Sequence, residues 1–145
     1  MVETIKQFVF SFISTIGFSI IFNIPKGLIV KSGIVGGIGW LVFYISSQFF
    51  SSSIISTFFA SLTVGILGEL CARYFKKPAT VFIIPGIIPL VPGAGLYYTM
   101  LALLEEDFYA AATKGTETIF IAAAISAGLI ISTTLSKSIR RANTK

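Results

Sequence analysis

The run Ile83-Ile84-Pro85-Gly86-Ile87-Ile88-Pro89-Leu90-Val91-Pro92-Gly93-Ala94-Gly95 sets three prolines and three glycines inside an apolar segment long enough to cross a membrane. Proline has no N–H and clashes with the carbonyl four residues earlier, so it interrupts helices. The carbonyls of Val81, Pro85 and Ile88 are therefore expected to lose their donors. Ile84, Ile88 and Val91, each preceding a proline, are biased toward extended geometry. Inside a bilayer, non-helical backbone persists only where it lines a cavity or is buried in protein. Such a break offers two kinds of ligand at one place. The N–H groups of Gly93, Ala94 and Gly95 open a second half-helix and attract an anion such as a carboxylate. The freed carbonyls before them receive an ammonium group or a cation. A zwitterionic amino acid or a carboxylate-bearing metabolite matches both; a kink that only lets helices pack is the competing explanation. Tyr97, Tyr98 and Thr99 follow within about one turn, and their hydroxyls either line the site or anchor the helix at the interface. The candidate substrate or ion set is thus Pro85, Gly86, Pro89, Pro92, Gly93, Ala94, Gly95, Tyr97, Tyr98 and Thr99.

Glu69 and Arg73 are the other residues with chemistry to offer. Carboxylates inside a membrane segment are rare and mark function, which makes Glu69 a candidate for proton or substrate coupling. Arg73, four residues on and able to snorkel, satisfies it structurally in the other reading. Glu105-Glu106-Asp107 reads as a solvated acidic loop. The single cysteine, Cys71, makes no disulfide framework or metal cluster and reads as a small apolar side chain. The chain has no histidine, which excludes imidazole catalysis, imidazole metal sites and a histidine pH switch. No nucleophile elbow, phosphate loop, metal-ligand spacing or catalytic carboxylate pair is present. Neither an enzyme nor a cofactor is expected.

These residues must be positioned by membrane helices. Of 145 residues, 54% are hydrophobic and 12% charged, about half the charge of an average soluble domain, and the mean hydropathy is +0.90. One all-α transmembrane domain over 1–145 is expected, with spans at about 8–24, 28–50, 54–75, 80–104 and 117–135, the fourth broken near the midplane. The N-terminal apolar run lacks a small-residue cleavage site and reads as an uncleaved first span. With five crossings, one side of the membrane receives Lys26, Lys31, Arg73, Lys76, Lys77, Lys137, Arg140, Arg141 and Lys145. The other receives only Lys6 and Lys114. The positive-inside rule then puts the N-terminus outside and the C-terminus in the cytoplasm. This placement also accounts for the net charge of +5 without nucleic acid. Lys31 reads as snorkelling to the cytoplasmic face. Gly33/Gly37, Ser61/Gly65 and Ala124/Gly128 are small-residue pairs that let membrane helices approach, either within the chain or between subunits.

With Phe22-Asn23-Ile24-Pro25, Phe59-Ala60-Ser61-Leu62-Thr63-Val64-Gly65-Ile66-Leu67-Gly68 and Ile88-Pro89-Leu90-Val91-Pro92-Gly93 followed by Tyr97, Tyr98 and Met100, the chain resembles the threonine/serine exporter family. The likeness is to its short five-span subunit, equivalent to the C-terminal half of the fused exporters. The resemblance implies export driven by the proton motive force from the inner (plasma) membrane. It also implies a larger partner subunit resembling the N-terminal half, with two halves of opposite orientation as in inverted repeats. Threonine and serine are the leading substrates; succinate export is associated with the split type, so a dicarboxylate is the alternative. A non-transporting membrane scaffold is the reading from another class, and a homo-oligomer stays open.

Overall fold

The structure, a computed structural model, describes residues 2–142; the side chains of residues 137 and 139–142 lie outside that description. The anchoring role expected of the Lys137, Arg140, Arg141 and Lys145 side chains therefore falls outside that description. Six α-helices follow one another: α1 Val2–Ile21, α2 Lys26–Phe49, α3 Ser53–Phe75, α4 Thr80–Ile87, α5 Gly93–Leu104 and α6 Phe108–Ala142. A single 3-10 turn, Ile88–Leu90, continues α4 toward the break. Helices α1, α2, α3 and α6 are each long and apolar enough to cross a membrane. The α4–α5 pair is bent by 47° and makes the fifth such span when counted as one. The expected all-α membrane architecture with a broken fourth segment is present.

Three connections stop their helices by one device. Asn23, Lys76 and Glu106 have φ of 54°, 53° and 60°. At each, the following N–H reaches back five residues: Ile24 to Ser19 O, Lys77 to Ala72 O and Asp107 to Ala102 O, at 3.0, 3.0 and 2.9 Å. These are Schellman closures, which satisfy the last carbonyls of a helix before the chain turns. Asp107 also starts the next helix, its Oδ1 accepting the Ala110 N–H at 2.9 Å.

Packing is inside-out relative to a water-soluble bundle. Ser11, Thr15, Ser19, Ser32, Ser56, Thr57, Ser61, Thr118, Ser132 and Ser136 are buried, while Phe10, Ile13, Ile20, Phe49, Leu104 and Ile130 are exposed. Lipid is as apolar as leucine, so close van der Waals contact and hydrogen bonding, not exclusion of water, hold the helices together. Many of the buried hydroxyls donate to the carbonyl one turn back, as Thr15 does to Ser11 O at 2.8 Å and Ser19 to Thr15 O at 2.7 Å.

The small-residue pairs are used within the chain. Gly33 and Gly37 face Phe12, Ile16 and Phe8 of α1. On the α3–α6 seam Ser61 fits against Gly128 and Ser132 against Gly65, and Ser61 Oγ donates to Ala124 O at 3.4 Å. Phe82 of α4 is fully buried in a core with Leu28, Val35, Ala60, Val64, Leu90 and Ile125.

Three helix ends lie well beyond the expected span limits, the end of α6 at Ala142 and not 135 being one. Helix α1 begins at Val2, not Phe8, and α6 at Phe108, not Glu117. The stretch before Glu117 is too polar for a hydropathy signal, but Ala110, Ala111 and Ala112 favour helix and Asp107 caps it. Lys114 and Glu117 therefore lie inside a helix, where sequence reading placed one in a loop and the other at a span's edge.

Candidate functional site

Proline does not leave the backbone as bare as its chemistry suggests. Pro85 sits within α4 without ending it, and the Val81 carbonyl it deprives accepts the Ser32 hydroxyl of α2 at 3.0 Å. The Pro85 carbonyl accepts the Ile88 N–H, and the Ile88 carbonyl the Val91 N–H at 3.2 Å. All three carbonyls expected to be free have donors, the last two because the chain tightens to 3-10 geometry. The extended residue is Val91, with φ −63° and ψ 128°; Ile88, with φ −53° and ψ −44°, is helical despite preceding Pro89. The Gly93 N–H turns back to Val91 O at 2.8 Å. The N–H groups of Ala94 and Gly95, by contrast, find no backbone acceptor among the described residues.

Beside this break lies a cavity of about 320 Å³. Pro89, Leu90, Val91, Pro92 and Gly95 form one wall; Trp40 and Phe43 of α2, Ser53 and Thr57 of α3, Tyr98 of α5, and Lys114, Glu117, Thr118 and Ile121 of α6 form the rest. Several polar groups here are already committed. Trp40 Nε1 donates to Gln7 Oε1, Thr57 Oγ1 to Ser53 O and Thr118 Oγ1 to Lys114 O, each at 2.7 Å. Lys114 and Glu117 are not: the one ion pair among the described residues joins Lys6 to Glu3, at 2.8 Å. A second hollow of about 320 Å³, lined by Tyr98, Leu101, Ala102, Glu105, Ala110 and Lys114, continues along the α5–α6 groove. Tyr98 and Lys114 border both, so the groove leads from the break to the Glu105 end of the bundle.

The register of α5 on α6 gives the depth. Gly95 faces Thr118 and Thr99 faces Gly115, so the two helices run antiparallel. Counted from that pairing, Glu117 lies roughly 12 Å in from the Leu104 end and within roughly 6 Å of the level of Pro92. Glu117 thus stands near the level of the broken backbone, and Lys114 lies about one turn nearer the Leu104 end. Sequence reading missed both because they looked like loop polarity.

Of the residues expected to form the site, Pro89, Pro92, Gly95 and Tyr98 line the cavity. Pro85 and Gly86 do not: both are buried, and a Cβ on Gly86 would meet Val64 and Val35 at 3.0 and 3.3 Å. They serve helix packing. Thr99 Oγ1 donates to Gly95 O at 2.7 Å and its methyl faces Gly115; Tyr97 is exposed outside the cavity. Gly93 has open space where a Cβ would stand.

Glu69 and Arg73 form a separate cluster on the α3–α6 seam, and they are not a direct ion pair. Ser136 joins them: its hydroxyl donates to Glu69 Oε2 at 2.9 Å, while Arg73 Nη2 donates to the Ser136 carbonyl and hydroxyl oxygens. The neighbouring groove of about 160 Å³ is lined by Ile66, Leu70, Ser132 and Leu135 besides these three residues. At the same end of the bundle the Lys31 ammonium sits 3.7 Å from the centre of the Phe75 ring, a cation–π contact that keeps it at the helix ends.

Residues 7–135 match the family model described as threonine/serine exporter, ThrE. A Haemophilus influenzae protein described as an uncharacterized protein is 27% identical over 106 residues, which are 72% of this chain and 35% of that protein. The match thus spans about a third of the length of that relative. No solved structure matches it.

Proposed function

Because this chain belongs to the threonine/serine exporter family, a family of multi-pass plasma-membrane transporters, we propose that it works as one half of a secondary-active exporter of small carboxylate metabolites. Threonine and serine lead, with succinate or another dicarboxylate as the alternative. The observation that carries this reading is the cavity beside the break, adjoined by a second hollow toward the Glu105 end of the bundle. Gly95, whose N–H has no backbone acceptor, lines this cavity and is suited to a carboxylate there; Ala94 lies outside it.

A larger partner subunit completes the transporter in this reading. The relative is far longer than the matched stretch, and α5 packs mainly on α6, leaving Leu96, Tyr97, Met100, Leu103 and Leu104 exposed. With the N-terminus outside, the groove opens outward, and the bend between α4 and α5 is the hinge that would close it.

The satisfied carbonyls and the packing role of Pro85 favour a second reading, a non-transporting scaffold for a partner. One experiment separates the two. Efflux of threonine, serine and succinate is measured from vesicles holding this chain alone, then the chain with its larger partner. Gly93→Leu and Pro89→Ala are compared with wild type. A transporter loses flux in these variants while still assembling, because Gly93 has room for a side chain. If the pair assembles and moves none of the three solutes, the exporter reading fails.

A further inference from the structure

We propose that the break between α4 and α5 binds an alkali-metal cation, held by the Pro89 and Leu90 carbonyls and the Thr57 hydroxyl. The carbonyls of Val81, Pro85 and Ile88 have donors; the next two along, those of Pro89 and Leu90, do not. Pro92 has no N–H to give. Gly93 donates instead to Val91 O at 2.8 Å, and the Ala94 N–H finds no backbone acceptor. The nearby hydroxyls of Thr57, Thr99 and Thr118 all donate elsewhere. Leu90 is buried, and a buried carbonyl without a donor is rare enough to mark a bound partner. Both Pro89 and Leu90 border the cavity of about 320 Å³.

Thr57 supplies the third oxygen. It borders the same cavity, is 2% exposed, and sits on α3, which packs on the Ile88–Leu90 turn. Its proton is spent on Ser53 O at 2.7 Å, so the hydroxyl has only lone pairs left to offer. Three acceptors without a free proton among them suit a cation. Neutral oxygens suit a monovalent one, because calcium and magnesium sites are built on carboxylates. The carbonyl end of a half-helix adds partial negative charge, and unwound carbonyls of broken membrane helices coordinate sodium in this way. Glu117 and Lys114 also border the cavity, but both are exposed and of opposite sign, so neither fixes the charge of the ligand.

Binding is read on the purified chain without flux, so the site stands or falls apart from the exporter reading. Trp40, the only tryptophan, borders the cavity and reports occupancy by its fluorescence. The full chain in bicelles is titrated with sodium, potassium and calcium chlorides, choline chloride holding the ionic strength constant. Sodium or potassium should give a saturable change that choline does not, and should raise the thermal midpoint. Thr57→Val should weaken half-saturation by about tenfold or more, while Thr57→Ser should bind as wild type. Thr63→Val should also bind as wild type, since its hydroxyl makes the same backbone bond, to Phe59 O at 2.9 Å, away from the cavity.

Equal responses to alkali and choline salts would overturn the site, as would wild-type affinity in Thr57→Val. Tighter binding of calcium than of either alkali ion would overturn it too, by pointing to the Glu117 carboxylate. Should Thr57→Val not fold, Thr57→Cys takes its place: a sulfur is a poor ligand for a hard cation, so unweakened binding there would be equally fatal.

Discussion

Ser32→Ala tests how this fold tolerates a proline in mid-membrane. Pro85 removes the donor that the Val81 carbonyl would have had, and the Ser32 hydroxyl replaces it from the neighbouring helix at 3.0 Å. The same hydroxyl also reaches Leu28 O at 3.1 Å, and Ser32 is completely buried, so no water stands in when it is lost. Interhelical hydrogen bonds in membrane proteins contribute about 0.6 kcal/mol on average and up to about 1.7. A buried acceptor left bare costs about 1–3 kcal/mol. The substitution should therefore destabilise the chain by about 1–2 kcal/mol. Pro85→Ala supplies an N–H at position 85, within α4 and four residues after Val81, and re-satisfies the carbonyl from inside the helix. It has its own cost, because the buried ring leaves a void. The two single variants and the double variant form a cycle that isolates the shared term. Ser32→Ala should be cheaper by about 1 kcal/mol in the Pro85→Ala background than in wild type. Unfolding free energies in bicelles, followed by tryptophan fluorescence of Trp40, measure it. Equal costs in both backgrounds would refute the claim that Ser32 compensates for Pro85.

Four further outcomes are expected. Gly128→Ala places a Cβ 2.9 Å from Leu62 N and Phe58 O, backbone that cannot rotate away. It should cost about 1–3 kcal/mol in the same unfolding assay. Gly17→Ala, with nothing within 4 Å, should stay within about 0.5 kcal/mol of wild type. With Cys71 replaced by Ala, Ser51→Cys and Glu106→Cys should react with an impermeant maleimide on intact cells and Lys77→Cys should not; the reverse pattern would invert the proposed orientation. Glu69→Gln should abolish the dependence of flux on the proton gradient if Glu69 couples transport, whereas unchanged dependence would leave the Glu69–Ser136–Arg73 cluster as a seam between α3 and α6.

What could be read from sequence divides by length scale. The number of apolar segments, the broken fourth one and the small-residue pairs were legible because each is a local pattern with one physical cause. Ser61, Gly65, Ala124 and Gly128 could be named as packing residues, though not as each other's partners. The start of α6 was not legible, because residues 108–116 mix alanines with polar side chains and their helix is fixed by the Asp107 cap and by packing on α5. That one boundary hid Lys114 and Glu117. The carbonyls of Val81, Pro85 and Ile88 were misjudged for a related reason. Proline chemistry tells which acceptor loses its donor, but the replacement came from Ser32, far away in sequence, and from a change of helical type that no spacing announces.

In the exporter reading, the division of labour between α4–α5 and α6 has a physical logic. The segment that bends has no charged residue between Thr80 and Leu104, so it could change its angle without carrying a formal charge through hydrocarbon. Moving even one lysine or carboxylate to the bilayer centre costs about 2.5–3.5 kcal/mol on insertion scales, which would oppose each cycle. Backbone dipoles at the start of α5 avoid that cost, since they are partial charges that travel with the helix. The full charges stand on α6, a single helix that also carries the α3 seam through Gly128 and Ser132. A site built this way could hold a small polar solute between a fixed charged wall and a movable neutral one. Moving one of these charges onto the hinge, by combining Lys114→Gln with Gly93→Lys, should then fail to support flux.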